Sequence, residues 1–173
     1  MSLFLPTISV PKVTDITPEL IRDMNANSIL LDVDNTLALH GSQTPFPGTI
    51  EWTQRMRKAG IHLILVSNNF QKRVKPFAAK YGLPFLSLSL KPLPAAYHRA
   101  VRYLGVKREE AVVVGDQVFT DVFGANWAGF RSVLLTPGGE EHSLSFRLRR
   151  ALEKPFREKC RKANCDGSFT DKG

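Results

Sequence analysis

Four apolar runs, each stopping abruptly at polar residues, constrain this chain more than any other feature of it. Ile29-Leu30-Leu31 leads into Asp32-Val33-Asp34-Asn35-Thr36, and Leu63-Ile64-Leu65-Val66 into Ser67-Asn68-Asn69. A shorter run over Pro84–Leu88 precedes Lys91, and Val112-Val113-Val114-Gly115 leads into Asp116 and, five residues on, Asp121. Ile/Leu/Val runs without alternation suit strands buried on both faces, as in the middle of a parallel sheet. Helical patterns lie between them. Thr17-Pro18 reads as an N-cap with a proline at the first helical position, opening a short helix to Met24. Helices over Gly48–Ala59, Gln71–Tyr81, Pro94–Leu104 and Phe119–Ala128 each end at a glycine, and Arg131–Leu135 supplies a fifth strand. Pro76 is an irregularity within its helix. Strands alternating with helices at this interval require βαβ crossovers, so the predicted fold is α/β, a doubly wound parallel five-stranded sheet covered on both faces.

The 173 residues suffice for one buried core, and 43% apolar with 23% charged residues is ordinary for a globular chain. The expected organisation is a domain over residues 1–141, with an N-terminal arm interrupted by Pro6 and Pro11, followed by a basic helical tail over 142–173. The net charge is +8; the tail holds nine Lys/Arg and four Asp/Glu, giving +5, and the other 141 residues give +3. Basic tails meet nucleic acid, anionic membranes or acidic partners, and charge alone does not choose. In the tail Leu144, Leu148, Ala151 and Leu152 share one helical face and Arg147, Arg150, Lys154 and Arg157 lie toward the other, an interfacial pattern with a break expected near Lys154 because of Pro155. Cys160 and Cys165 read as free thiols, without the partners of a zinc site. The start lacks a secretory pattern and no run reaches the roughly 20 apolar residues of a membrane span, so the expectation is a cytoplasmic or peripheral membrane protein.

Carboxylates at the ends of buried strands are costly there unless a site uses them. Asp32 and Asp34, two residues apart, share a side of an extended chain but are held well apart by the pleat, so both engage a single metal or phosphate only if the chain bends after Asp32. Singly, each motif has an ordinary structural reading: Asp34 and Asn35 as turn formers, Asp116 and Asp121 as helix caps, Ser67 and Asn68 as a turn, Lys91 as a solvated cation. The set Asp-x-Asp-x-Thr, Ser after a strand, Lys, and Gly-Asp-x-x-x-x-Asp, in that order, resembles the four motifs of the haloacid dehalogenase-like phosphatase superfamily. Residues 32–136 are most similar to its small, cap-poor IIIA members of the YqeG type.

The resemblance implies a strand order of 5-4-1-2-3 and a Mg²⁺-dependent phosphomonoester hydrolase. It makes Asp32 the nucleophile that becomes an aspartyl-phosphate and Asp34 the acid and base. Ser67 and Lys91, with Thr36 and Asn68 in support, would bind the phosphoryl group; Asp32, Asp116, the Asp34 carbonyl and Asp121, directly or through water, would hold the metal. A hard, oxygen-preferring cation also suits three clustered carboxylates. Only 32 residues separate Asp34 from Ser67 and 23 separate Ser67 from Lys91, too few for a cap domain. An open site fits a large or surface-presented substrate, and the resemblance points to phosphatidylglycerophosphate, with the loop Leu39–Pro47 as the one local lid. The alternatives are a protein or nucleic-acid phosphatase, or a non-catalytic scaffold holding RNA or a ribosomal partner by its tail.

Overall fold

The computed structural model describes residues 3–138 and 144–162, with side chains of the latter stretch at 150–159. The elements in order are β1 (Ile8–Val10), α1 (Pro18–Asp23), β2 (Ser28–Leu31), α2 (Thr49–Lys58), β3 (His62–Val66), α3 (Gln71–Tyr81), β4 (Phe85–Leu86), α4 (Pro94–Leu104), β5 (Ala111–Gly115), α5 (Phe123–Trp127), β6 (Arg131–Leu135) and α6 (Leu144–Lys162). The sheet is parallel, in the order β1-β6-β5-β2-β3-β4. Five strands stand in the expected order. The sixth, β1, corrects the reading of residues 1–13 as an arm: Ile8, Ser9 and Val10 pair with Val133, Leu134 and Leu135 at the sheet edge.

Successive residues of each central strand enter opposite cores, as the pleat requires. Ile29 and Leu31 pack with Trp52, Met56, Phe77 and Tyr81 on one face, while Leu30 packs with Tyr97, Ala100 and Phe130 on the other. Trp52 is anchored as well as buried, its Nε1–H donating to the Ile16 carbonyl at 2.8 Å. Trp127 is half exposed. Helices α3 and α4 end where predicted because Gly82 and Gly105 adopt the left-handed conformation of helix stops, at φ 60° and 70°.

Both internal prolines are tolerated. Pro76 and Pro155 are exposed, so the carbonyl that each leaves without a helical partner can be hydrated. The expected break near Lys154 is therefore absent, and α6 runs through Pro155 to Lys162. The helix predicted from Phe119 instead starts with a π-helical turn over Val118–Val122.

Helix α6 docks on the domain through the side that carries Arg150 and Arg157. Arg150, Glu153, Phe156 and Arg157 meet the domain, Leu152 is exposed, and Arg150 and Arg157 are not solvated charges. The side chains of Leu144, Arg147, Leu148, Cys160 and Cys165 lie outside the described residues.

Candidate active site

Register brings the first and fourth motifs together. Leu31 on β2 is opposite Val114 on β5, and the Asp32 N–H donates to the Val114 carbonyl at 2.9 Å, so Asp32 leaves its strand beside Gly115 and Asp116. This is the carboxyl end of a doubly wound sheet, where such folds bind ligands. A Cβ at Gly115 would collide with the Asp121 carboxylate, so the glycine before Asp116 is what lets Asp121 fold back into the site.

Lys91 reaches the same point from the loop after β4. Its Nζ donates to Asp32 Oδ1 at 2.6 Å and to Asp121 Oδ1 at 2.7 Å, and all three side chains are buried. Asn68 fastens that loop: its Nδ2 donates to the Lys91 carbonyl at 3.0 Å, and its Oδ1 accepts from the Lys91 N–H at 2.7 Å. Both ends of the Asn68 amide are thus engaged by backbone. Ser67 is buried, its Oγ accepting from the Asn69 N–H at 3.1 Å, and Thr36 Oγ1 is buried without a hydrogen-bond partner among the described residues.

Asp34 points elsewhere. Its Oδ1 accepts from the Gly41 N–H and from Arg73 Nη2, each at 3.1 Å, with His40 Nδ1 at 3.5 Å; Oδ2 accepts from the Asn69 amide. The two carboxylates of the Asp-x-Asp pair therefore sit in different surroundings, Asp32 in the buried lysine cluster and Asp34 under the mouth formed by the 38–45 loop and α3. Arg73, His40 and Asn69 carried no signal in the sequence beyond their proximity to a motif or to a helix start.

Oxygens of Asp32, Asp116 and Asp121 lie within 4.8 Å of one another. Asp32 Oδ2 is buried with no hydrogen-bond partner among the described residues, which a cation or substrate atom would supply. Burial, with Asp121 and Asp116 alongside, pushes the Asp32 carboxyl well above the usual carboxylate range against the pull of Lys91. Burial opposes the Lys91 ammonium too, but Asp121 and Asp32 outweigh it and hold its pKa above that of an ordinary lysine. The donor set, all carboxylate oxygens, fits a hard divalent cation.

A second ionic layer comes from α6. Arg150 pairs with Asp116 Oδ2 and donates to the Asp116 carbonyl at 2.9 Å, and Arg157 donates to the same carbonyl and to that of Leu135. Glu153, fully buried, accepts from the Val118 N–H at 2.9 Å and from Arg150 at 2.8 Å. The signal for this network in the sequence is that residues 150, 153 and 157 share a helical face, and leucines at other positions of the same helix compete with it. Glu153→Ala should lower the unfolding free energy by about 2–4 kcal/mol, because it leaves the buried Val118 N–H without its acceptor and takes a carboxylate partner from both Arg150 and Arg157. Glu153→Gln should cost clearly less. Denaturant unfolding checks both, and a loss below about 0.5 kcal/mol for the alanine variant would mean that the network does not hold the helix.

The chain is similar to proteins of known type. The family model "haloacid dehalogenase-like hydrolase" matches residues 16–129. The chain is 38% identical over 151 residues to the "Probable phosphatase YqeG" of Bacillus subtilis (strain 168), covering 87% of this chain and 88% of that protein. It is 30% identical over 151 residues to the mitochondrial phosphatidylglycerophosphatase GEP4 of Saccharomyces cerevisiae, covering 79% and 80%. The fold also matches the cobalt-bound form of the deoxy-D-mannose-octulosonate 8-phosphate phosphatase YrbI of Haemophilus influenzae, with a TM-score of 0.51 at 18% identity over 80% of this chain and 91% of that one. With the four motifs gathered at one end of the sheet and the family model spanning most of the chain, the protein belongs to the haloacid dehalogenase-like hydrolases and is a phosphatase.

Proposed function

We propose that this phosphatase works through an aspartyl-phosphate on Asp32, depends on Mg²⁺, and acts on phosphatidylglycerophosphate or another phosphate presented at a surface. The observation that carries the chemistry is the division between the two carboxylates: Asp32 is held by Lys91 inside the acidic cluster, and Asp34 is held apart by Gly41, Asn69 and Arg73. In the first step an Asp32 carboxylate oxygen forms a bond to phosphorus as the ester P–O bond breaks, and Asp34 gives its proton to the leaving oxygen. In the second, Asp34 takes a proton from water, whose oxygen attacks the same phosphorus and releases Asp32 and inorganic phosphate. Lys91, Ser67 and Thr36 face the phosphoryl oxygens, and Asn68 acts by fixing the Lys91 loop.

Asp32, Asp116 and Asp121, with the Asp34 carbonyl, would hold the cation. When bound it supplies positive charge that offsets the carboxylates and the phosphoryl group. The lipid part of the proposal is supported by the relative that acts on phosphatidylglycerophosphate and by the absence of room for a cap between the motifs.

Purified full-length protein should hydrolyse a soluble aryl phosphate, lose about 100-fold or more of that rate in chelator, and regain it with added Mg²⁺. Against a panel of lipid, sugar, nucleotide and peptide phosphates, phosphatidylglycerophosphate in detergent micelles should lead in kcat/KM by roughly tenfold or more, a difference of about 1.4 kcal/mol in transition-state binding. Equal handling of the soluble compounds would remove the lipid from the proposal. Absence of turnover with every divalent metal would leave a scaffold that has kept the fold.

A further inference from the structure

The net charge conceals a segregation. Between Trp52 and Arg108 there are twelve Lys/Arg and no Asp/Glu, although the whole chain has sixteen acidic residues. That stretch runs from α2 through β3, α3 and β4 to α4, two neighbouring strands at one edge of the sheet with their helices. It supplies two of the three loops at the mouth of the site, where Lys72 and Lys75 stand early in α3, while Arg55, Arg57, Lys58, Lys80 and Arg102 lie in the last turns of their helices, at the other end of the sheet. The third, from Asn35 to Ile50, has no acidic residue either.

Exposed apolar side chains gather on the same three loops. Of nine large exposed hydrophobic residues among those described, five are Leu39, Phe70, Leu88, Leu90 and Leu93, with Phe70 at 70% and Leu90 at 65% exposure. Hydrogen bonds tie the loops to one another and to the site: the Leu88 N–H donates to the Asn69 carbonyl at 2.9 Å, the Asn69 amide donates to Asp34, and Asp34 accepts from Gly41, two residues after Leu39. Leu88 and Leu90 hold left-handed backbone, at φ 47° and 56°, a region that leucine avoids. Neither side chain is buried, so no core contact inside the molecule offsets that conformation.

We infer that the mouth of the active site is a membrane-docking face, its five apolar side chains entering the interfacial layer of an anionic bilayer while Lys72 and Lys75 meet the lipid headgroups. Delivery of a lipid phosphate to Asp32 on this face rests on the substrate reading above; the docking itself does not. The occupant is a bilayer rather than a polyanion because nucleic acid would use the charge but gain nothing from four exposed leucines, whereas apolar side chains among lysines are what an interface retains. Two of the tail's nine basic residues, Arg150 and Arg157, are engaged at Asp116 rather than presented to a surface.

Three substitutions remove the apolar rim while suiting the local backbone. Phe70 is the N-cap of α3 and makes no side-chain cap, so serine improves it; asparagine tolerates the left-handed conformation at Leu88 and Leu90. Full-length protein and the F70S/L88N/L90N variant should melt at similar temperatures and turn over a soluble aryl phosphate equally. In co-sedimentation with phosphatidylcholine vesicles containing phosphatidylglycerol, the unaltered protein should bind, more weakly as salt is raised, and the variant should bind roughly tenfold less. Equal partitioning of the two proteins overturns the inference, even if phosphatidylglycerophosphate in micelles proves a substrate. So does retardation of an RNA probe by a protein that ignores the vesicles. Rim-dependent vesicle binding without hydrolysis of that lipid leaves the docking face standing and sinks the substrate reading alone.

Discussion

Asp32→Asn should abolish phosphomonoester turnover while leaving the fold intact. The amide is nearly the same size as the carboxylate but is a far weaker nucleophile, and loss of an attacking group costs on the order of 10⁴-fold or more, about 5.5 kcal/mol of barrier. Stability should hold or rise in chelator. Burial and the neighbouring Asp121 and Asp116 already push the Asp32 carboxyl upward, so its charge is expensive in the metal-free fold, and Lys91 keeps Asp121 as a partner after the change. Steady-state rates on an aryl phosphate, paired with thermal melts, read the two effects separately. Activity within about tenfold of the unaltered protein, a barrier change of only about 1.4 kcal/mol, would sink Asp32 as nucleophile.

Much of this fold could be read from local patterns because its signals are local. The limits of α3 and α4 were legible from glycines whose left-handed backbone ends a helix, and β2, β3 and β5 from apolar runs that only a doubly covered sheet accepts. β1 was not legible. Ile8–Val10 is three residues between prolines, and its strand conformation comes from pairing with β6 more than 120 residues later, a contact with no sequence period. β4 shrank to Phe85–Leu86 for a related reason: the chain turns away at Leu88 to carry Lys91 inward.

The candidate site divides in the same way. Asp32, Lys91, Asp116 and Asp121 meet because they end neighbouring strands or the loops that follow, and strand ends are visible in sequence. Arg73 reaches Asp34 across 39 residues from the first turn of α3, where an arginine looks like any solvated helix cation. Arg150 and Glu153 reach the Asp116 loop from a helix whose leucines suggested the opposite docking face. A buried carboxylate flanked by two arginines on one face would have predicted it better, since such a group needs partners wherever it packs.

Lys91→Met should be the most damaging single change to the metal-free protein. Methionine fills most of the space but removes the ammonium that lies between Asp32 Oδ1 and Asp121 Oδ1, leaving two buried carboxylates in mutual repulsion with Asp116 close by. Removing one partner from a buried ion pair costs about 3–5 kcal/mol, which for a chain of this size lowers the melting temperature by roughly 6–20 °C. Turnover should fall at least about 10³-fold, since the same ammonium holds Asp32 and, in the proposed mechanism, would face the phosphoryl oxygens. The two losses should respond differently to a divalent cation. Saturating Mg²⁺ places charge among the same carboxylates and stabilises the folded state by mass action, so it should raise the variant's melting temperature more than that of the unaltered protein. It should not restore the rate, because Lys91 reaches Asp32 from a different loop than the acidic residues. Melts in chelator and in Mg²⁺, run beside aryl phosphate assays, decide the matter. A variant as stable as the unaltered protein in chelator would show that Lys91 does not balance the acidic cluster, and full activity in Mg²⁺ would remove it from the chemistry.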